Sequence, residues 1–194
     1  YGDSPALCAA LSAAYVKGLE GSDLTDGVVA TGKHFLGYGF SEGACNMHEC
    51  HIPPRRLREV YAKPFQAAIT EAGMLGIMNS YNTIDGECVV TSKHLLTDLL
   101  RDEMKFEGIV VSDYMSLERV LNPLKGAADI GEAAGRTLNA GLDVDCPNFV
   151  GYAEPLMELA NREPEKWMPL IERSLRRVLT VKFRLGLFEQ TFDR

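Results

Sequence analysis

The sequence lacks a long hydrophobic run, a signal-peptide pattern and an excess of positive charge. No stretch reaches the roughly 18 apolar residues that a transmembrane helix needs, so we expect no membrane span. The first residues show neither the basic start nor the apolar run of a signal peptide. Lysine and arginine number 20 against 27 aspartates and glutamates, which gives a net charge of −7 at pH 7. This balance argues against a protein that binds nucleic acid by neutralising phosphates.

Cysteine is sparse, with five residues in scattered positions and no C-x-x-C pair. A chain of 194 residues buries a core without disulfides, so we expect free thiols, which favours a reducing compartment such as the cytoplasm. The chain starts at Tyr1 without a methionine, so missing upstream sequence and a secreted or periplasmic location stay open. Cys45, His48, Cys50 and His51 form a tight group, but their spacing matches no regular zinc pattern. We therefore predict neither a metal site nor a cofactor.

Common phosphate-binding and serine-nucleophile motifs are also missing. The chain contains no G-x-G-x-x-G, no Walker pattern and no G-x-S-x-G elbow, which argues against nucleotide binding through a glycine loop and against an α/β-hydrolase. What is present is typical of a globular domain, with 46% hydrophobic and 24% charged residues.

Four short apolar runs predict buried parallel strands, because apolar runs without alternation are typical of strands covered on both faces. The runs are Val28-Val29-Ala30, Leu75-Gly76-Ile77-Met78, Ile109-Val110-Val111 and Leu142-Asp143-Val144. Helical patterns are found before, between and after them: one from Ser4-Pro5 to Gly21, one near Arg55 to Glu71 that Pro64 should break, one from about Ser92, one over about 127–139, and one around Trp167.

Repeated strand, loop and helix predict an α/β fold with right-handed crossovers. Two architectures fit the pattern: an open doubly wound sheet and a (β/α)8 barrel. A full barrel has eight strands in roughly 250 residues, so four strands amount to about half of one. No polar linker or low-complexity segment divides the chain.

Polar residues follow each predicted strand, at the edge where both architectures bind ligands. They are Lys33-His34, Asn79-Ser80-Tyr81-Asn82 and Ser112-Asp113-Tyr114 after the first three strands, while the fourth strand carries Asp143 and Asp145. Asp113 follows a fully apolar run, so its carboxylate suits a nucleophile, a general base or a metal ligand, or caps the next helix. Lys33 and His34 serve one ligand together only if the strand ends there, because neighbours on a strand face opposite sides.

Several separate motifs in order resemble glycoside hydrolase family 3. They include Lys33-His34-Phe35-Leu36-Gly37-Tyr38-Gly39, Met78-Asn79-Ser80-Tyr81-Asn82 and Val110-Val111-Ser112-Asp113, and the similarity runs from Tyr1 to near Phe188. The resemblance implies the later part of the family's N-terminal (β/α)8-type barrel, which is incomplete here. Residues 1–194 would form a single partial domain, without the sandwich domain that follows in the family.

The resemblance also implies a retaining β-glycosidase that acts on terminal non-reducing β-D-glucosyl residues of oligosaccharides or of aryl and alkyl glycosides. Asp113 matches the family's nucleophile, and Lys33 and His34 match the pair that bonds sugar hydroxyls. Tyr81 matches a tyrosine near the nucleophile, and Tyr114 stands where many members have a tryptophan that stacks on the sugar. The acid/base glutamate of most members belongs to the following sandwich domain, so we expect it outside this chain.

Other interpretations remain open from the sequence. The chain could bind carbohydrate without turnover, or the enzyme could be a β-xylosidase or an α-arabinofuranosidase. A branch of the family uses a histidine on the loop after the Lys33-His34 strand as acid/base, but its motif is not matched here. An unrelated flavodoxin-like domain would require the motif series to be coincidence.

Overall fold

A parallel sheet of three strands forms the framework of the fold, in a computed structural model that describes residues 1–189. The strands of the described residues are β1 (Thr31–Phe35), β2 (Glu49–Cys50), β3 (Gly76–Asn79), β4 (Thr83–Ile84), β5 (Glu87–Cys88) and β6 (Ile109–Val111). The order in the parallel sheet is β1-β3-β6, with Thr31 opposite Gly76 and Gly76 opposite Ile109. A second sheet combines β2, β4 and β5.

Helices follow the strands and confirm the predicted alternation of an α/β fold. The α-helices are α1 (Pro5–Glu20), α2 (Pro54–Arg56), α3 (Lys63–Ala72), α4 (Ser116–Leu121), α5 (Ile130–Ala140), α6 (Glu154–Arg162) and α7 (Pro164–Arg184), with π-helical segments at Leu57–Tyr61 and His94–Glu103. Short 3-10 turns lie at Leu24–Asp26, Tyr38–Phe40, Glu42–Ala44 and Val89–Thr91. None of the helices in this part of the chain has the length and apolar character that a membrane crossing requires.

The first predicted strand is displaced along the chain. The run at 28–30 precedes β1, because its backbone is bonded to the end of α1: Val28 N donates to the Leu19 carbonyl, and Ala30 N donates to Oε1 of Glu20. The strand therefore starts at Thr31, so that Lys33 and His34 lie within it rather than after it.

The fourth predicted strand is reduced to a single parallel bridge between Val111 and Val144. The reason is the side chain of Asp143, whose Oδ2 accepts from the backbone N of Val110 at 2.9 Å. The Asp143 carboxylate is fully buried between Arg101, at 2.6 Å, and Arg177 of α7, at 3.0 Å. The predicted third and fourth helices correspond to His94–Glu103 and α5, whereas α4 and α6 were not predicted.

Helix α1 has the limits that its capping residues predict. Oγ of Ser4 accepts from Leu7 N at 3.3 Å, and Gly21 ends the helix. The apolar stripe on this helix is nevertheless exposed: Leu7, Leu11 and Tyr15 face outward, while smaller residues pack inward. The break near Pro64 is confirmed, because the predicted second helix is divided into α2, a π-helical segment and α3.

The core lies between the parallel sheet and the helices behind it. Strand residues Phe35, Ile77 and Val110 are fully buried and belong to the same cluster as the leucines of the second π-helical segment. Those leucines are Leu95, Leu96, Leu99 and Leu100, the four that the helical spacing predicts to be buried. The sheet and its core hold the carboxyl ends of β1, β3 and β6 side by side.

Candidate active site

Asp113 lies two residues beyond the end of β6, at the carboxyl edge of the parallel sheet. Its side chain is 16% exposed, so the carboxylate reaches the surface just beyond a strand whose central residue, Val110, is fully buried. The backbone fixes its direction, since Oδ1 accepts from the N of Tyr114 at 2.7 Å. A carboxylate held in this way is directed at one point in space, as a nucleophile requires.

Asn79, at the end of β3, supports the backbone of Asp113. Its Oδ1 accepts from Asp113 N at 3.2 Å, and its Nδ2 donates to Oγ of Ser116 at 3.1 Å. Asn79 is fully buried, so both groups of its amide are bonded inside the protein. The amide thus ties the end of β3 to the turn that carries Asp113.

His34 is the side chain that strand β1, on the far side of β3 from β6, brings to Asp113. Its Nε2 lies 3.3 Å from Oδ2 of Asp113, and 28% of the His34 side chain is exposed. Burial lowers the pKa of His34; the Asp113 carboxylate opposes this effect, and the charge of Lys33 adds to it. A neutral imidazole with one partly exposed edge can exchange hydrogen bonds with a bound hydroxyl.

Tyr81 and Tyr114 form the other side of the site. The hydroxyl of Tyr81 donates to the carbonyl of Tyr114 at 2.7 Å. Burial and the neighbouring Asp113 carboxylate raise the pKa of Tyr81 to about 12, so the phenol stays protonated. The ring of Tyr114 is largely exposed and offers an aromatic surface beside Asp113.

Lys33 is only partly brought to this group. It is exposed on β1, and within residues 1–189 its amine makes no hydrogen bond or ion pair. Its charge is nevertheless close enough to His34 to depress the pKa of that residue. The amine is therefore available to a ligand at the edge of the site.

The two aspartates of the fourth predicted strand do not belong to the site in the way that the sequence suggested. Asp143 neutralises the buried Arg101 and the partly buried Arg177, so it is structural. Asp145 is buried, and its Oδ2 accepts from Gly151 N at 2.9 Å. Burial raises the pKa of the Asp145 carboxyl.

The cysteine and histidine group after β1 is not assembled into one cluster. Cys50 is buried, and its thiol lies 3.5 Å from the Gly37 carbonyl, while His51 is exposed and lies near Glu42 and Asp85. Burial raises the pKa of Cys50 to about 11. All five cysteines are free.

Arg119 is a residue at the site that the sequence analysis did not single out. Its guanidinium carbon lies 4.5 Å from the centre of the Tyr81 ring, and its Nη1 lies 2.8 Å from Sδ of Met47. A lone arginine six residues after Asp113 has no spacing signal, and α4, which carries it, was not predicted. A groove of about 1030 Å³ that is lined by α5, α6 and α7 contains none of the site residues named above.

The site therefore combines a fixed carboxylate, an imidazole, a phenol and an exposed aromatic ring at one sheet edge. Such a set suits a polyhydroxylated ligand, because the rings cover its apolar faces and the polar groups bond its hydroxyls. The carboxylate in addition offers an oxygen that can attack an electrophilic carbon.

Comparison with known proteins gives the family. The model of the glycosyl hydrolase family 3 N-terminal domain matches residues 1–181. A β-xylosidase of Formosa agariphila is 33% identical over 198 residues, which cover 97% of this chain and 27% of that protein. A β-glucosidase of Rhizobium radiobacter is 33% identical over 193 residues, covering 100% of this chain and 21% of the relative.

Solved structures agree with this similarity. A β-glucosidase from Erythrobacter marinus superposes with a TM-score of 0.89 at 35% identity, over 96% of this chain and 25% of that one. The β-glucosidase from Listeria innocua in complex with glucose also gives 0.89, at 30% identity over 96% of this chain and 26% of that one. The likeness supports an incomplete barrel rather than an open doubly wound sheet.

The chain spans about a quarter of the length of these relatives. The family model covers most of the chain, and the fold agrees with it over nearly the same residues. This chain therefore belongs to glycosyl hydrolase family 3, within the N-terminal domain of that family.

Proposed function

We propose that this chain carries the nucleophile of a retaining β-glycosidase that hydrolyses terminal non-reducing β-D-glucosyl residues. The observation that carries the proposal is the position of Asp113, which is fixed at the end of β6 with His34 at 3.3 Å. Tyr81 lies on the other side and bonds the carbonyl of the next residue.

Hydrolysis would take place in two displacements. In the first, an oxygen of Asp113 forms a bond to the anomeric carbon, the glycosidic C–O bond breaks, and the leaving oxygen takes a proton from an acid. In the second, water attacks the same carbon, the bond to Asp113 breaks, and the water proton goes to the group that acted as acid.

The other residues at this edge of the sheet would bind the sugar. Lys33 and His34 would bond its hydroxyls more strongly in the oxocarbenium-like transition state than in the ground state, which raises the rate. Tyr114 would stack on the sugar with its exposed ring. Tyr81 would keep the Asp113 region in place through its bond to the Tyr114 carbonyl.

The acid/base residue of this enzyme would come from outside the chain. We propose that residues 1–194 are one partial domain, the later part of the barrel, and that a following sandwich domain of the same longer polypeptide supplies the acid. The chain's span of about a quarter of its relatives supports this arrangement.

Glucose is the sugar that the solved relatives favour. Related structures from Listeria innocua include complexes with glucose and with laminaribiose. The β-xylosidase relative makes xylose or arabinose the alternative specificity. A second candidate function is carbohydrate binding without turnover by this chain on its own, favoured by its short span relative to whole enzymes.

The test is covalent trapping with a 2-deoxy-2-fluoro-β-glucosyl donor, which leaves the sugar on the nucleophile. The chain alone and the longer polypeptide are treated, digested with pepsin and analysed by mass spectrometry. We expect the tag on the peptide that contains Asp113 in the longer polypeptide. A tag in the isolated chain as well would show that it reacts without a second domain.

Two variants complete the experiment. Asp113→Asn should lose the tag and the hydrolysis of aryl β-glucosides, whereas Asp98→Asn should keep both, because Asp98 is an exposed carboxylate paired with Lys93. A tag elsewhere, a tag in neither protein, or a nearly normal hydrolysis rate in Asp113→Asn would each contradict the proposal. If a xylosyl donor labels Asp113 and the glucosyl donor does not, only the proposed sugar changes, and Asp113 stays the proposed nucleophile.

A further inference from the structure

Arg119 is half-buried and makes no ion pair with any carboxylate in residues 1–189. Its Nε is buried without a hydrogen-bond partner in that part of the chain. Burying a guanidinium is costly unless other contacts compensate, so a cation in this position needs an explanation. Its described contacts are with an aromatic face and a sulfur, not with an acid.

These contacts connect the segments that follow the three strands at the carboxyl edge of the sheet. Arg119 itself is on α4, which follows Asp113; Tyr81 follows β3; and Met47 is on the loop that follows β1. The guanidinium therefore touches a residue after each of the other two strands whose ends form the site. A planar cation on a ring face restricts how the ring can turn.

The ring that Arg119 covers is the one beside the nucleophile. The hydroxyl of Tyr81 bonds the Tyr114 carbonyl, and the carboxylate of Asp113 is close enough to raise the pKa of that hydroxyl, while Arg119 acts in the opposite direction. Tyr81 thus lies between a cation and the proposed nucleophile. A change in the ring's tilt would move the turn that holds Asp113.

We propose that Arg119 is a positioning residue of the active site, which fixes Tyr81 by stacking on its ring and through Tyr81 holds Asp113 in its attacking position. The inference rests on the proposed function of Asp113. In this role the arginine does not contact the substrate. The proposal predicts that substitutions of Arg119 and of Tyr81 have coupled effects on the reaction rate.

The test uses the longer polypeptide and measures kcat, KM and the rate of labelling by the 2-fluoro glucosyl donor. Arg119→Gln should lower kcat and the labelling rate by about 10- to 100-fold, the size expected from a small misplacement of a reacting group. KM should change by less than about threefold, because no sugar contact is lost. Arg119→Lys should recover part of the loss, since it keeps the cation but not the planar stack.

Coupling separates positioning from general destabilisation. Tyr81→Leu alone should lower the labelling rate, and adding Arg119→Gln should lower it no further, because the arginine acts through that ring. Arg162→Gln, which removes an exposed arginine of α6 from a surface ion pair, should leave the rate unchanged. Circular dichroism of each variant shows whether it is folded. If Arg119→Gln does not fold, the same comparison is made with Arg119→Lys.

Each outcome decides between the two proposals. Labelling of the wild type together with wild-type rates in folded Arg119→Gln would overturn the inference and leave Asp113 as nucleophile. Losses that multiply in the double variant, or a loss confined to KM, would also overturn it. Absence of labelling in the wild type would contradict the proposed function of Asp113, and the proposed positioning role of Arg119 would fall with it.

Discussion

At the scale of single residues, Lys33 and His34 are neighbours with different partners. His34 is within 3.3 Å of the Asp113 carboxylate, whereas the Lys33 amine makes no hydrogen bond or ion pair in the described residues. An amine without a protein partner loses no internal bond when a ligand arrives. In the proposed sugar binding the two side chains would therefore act in different ways, His34 as part of a formed group and Lys33 as a free donor.

Lys33→Met should lower kcat/KM for aryl β-glucosides by about 10- to 100-fold. The reason is the loss of one charge-assisted hydrogen bond to a sugar hydroxyl, which is worth about 1.5–3 kcal/mol. Steady-state kinetics of the longer polypeptide measure the effect. Lys93→Met is the matched control, because Lys93 is an exposed lysine paired with Asp98. Equal kcat/KM in both variants would show that Lys33 does not touch the sugar.

The sequence correctly predicted contacts between residues that lie at the ends of the predicted strands. It did not predict contacts that depend on the arrangement of loops and distant side chains. Asp113, His34 and Tyr81 meet because each lies at or just beyond the carboxyl end of a strand of the parallel sheet, and such ends share an edge. The contacts of Arg119 could not be predicted, since they depend on the position of the Tyr81 ring and on the path of the loop that carries Met47. Asp143 was misinterpreted because its arginine partners are distant in sequence.

At the scale of secondary-structure elements, Glu20 connects the end of α1 to two strands. Its Oε1 accepts from Ala30 N at 3.0 Å and from Leu75 N at 3.2 Å, just before β1 and β3. Burial raises the pKa of Glu20, while these backbone bonds act in the opposite direction. The carboxyl thus joins three elements and binds its proton more tightly in the folded state.

Glu20→Gln should gain stability relative to the wild type as the pH rises above about 4.5. A raised folded-state pKa means that the folded protein holds more protons than the unfolded one, so wild-type stability falls as the pH passes through that pKa. Glutamine keeps an acceptor oxygen and has no such dependence. Urea unfolding between pH 4.5 and 8 measures the difference between the two proteins.

The companion variant Glu20→Ala separates charge from hydrogen bonding. It leaves two buried backbone N–H groups without a partner, so relative to Glu20→Gln, which also does not titrate, it should cost about 1–3 kcal/mol at every pH. A wild-type curve parallel to that of Glu20→Gln over the whole range would contradict the raised pKa.

The limits of helices could be predicted better than those of strands. Ser4-Pro5 and Gly21 determine the ends of α1 through local capping, which depends only on nearby residues. The first strand was placed three residues too early because the backbone of Val28 and Ala30 is bonded to the end of α1. No local sequence pattern indicates that these backbone groups bond to the end of α1 and not to a neighbouring strand.

At the scale of the whole molecule, the described residues leave apolar side chains exposed at both ends of the chain. Leu7, Leu11 and Tyr15 lie on the outer face of α1, and Leu175 and Phe183 are exposed on α7. Strand β1 has a neighbour on one side only within residues 1–189. Exposed apolar faces and open strand edges favour association.

The chain expressed by itself should therefore self-associate or be poorly soluble at micromolar concentration. Sedimentation velocity measures its mass, and the double variant Leu11→Glu, Tyr15→Glu should shift the distribution towards monomer. Met157→Glu, at an exposed apolar residue of α6, is the control and should have little effect. A monodisperse, cooperatively unfolding monomer would contradict this expectation.

The choice between a barrel and an open sheet could not be made from periodicity. Both architectures place buried parallel strands between helices, and they differ in how the ends of the sheet close, which four short strands do not encode. The series of motifs around Asp113 and His34 identified the family and through it the barrel.

The buried carboxylate of Asp143 sets an order of events during synthesis. Arg101 is made 42 residues before it, whereas Arg177 is made 34 residues after it. At about 5–20 residues per second, the ribosome adds Arg177 about 2–7 s after Asp143. During that interval only one of the two arginine partners of the carboxylate has been synthesised, so the charge pairing at this strand end is complete only when α7 has been translated and docks.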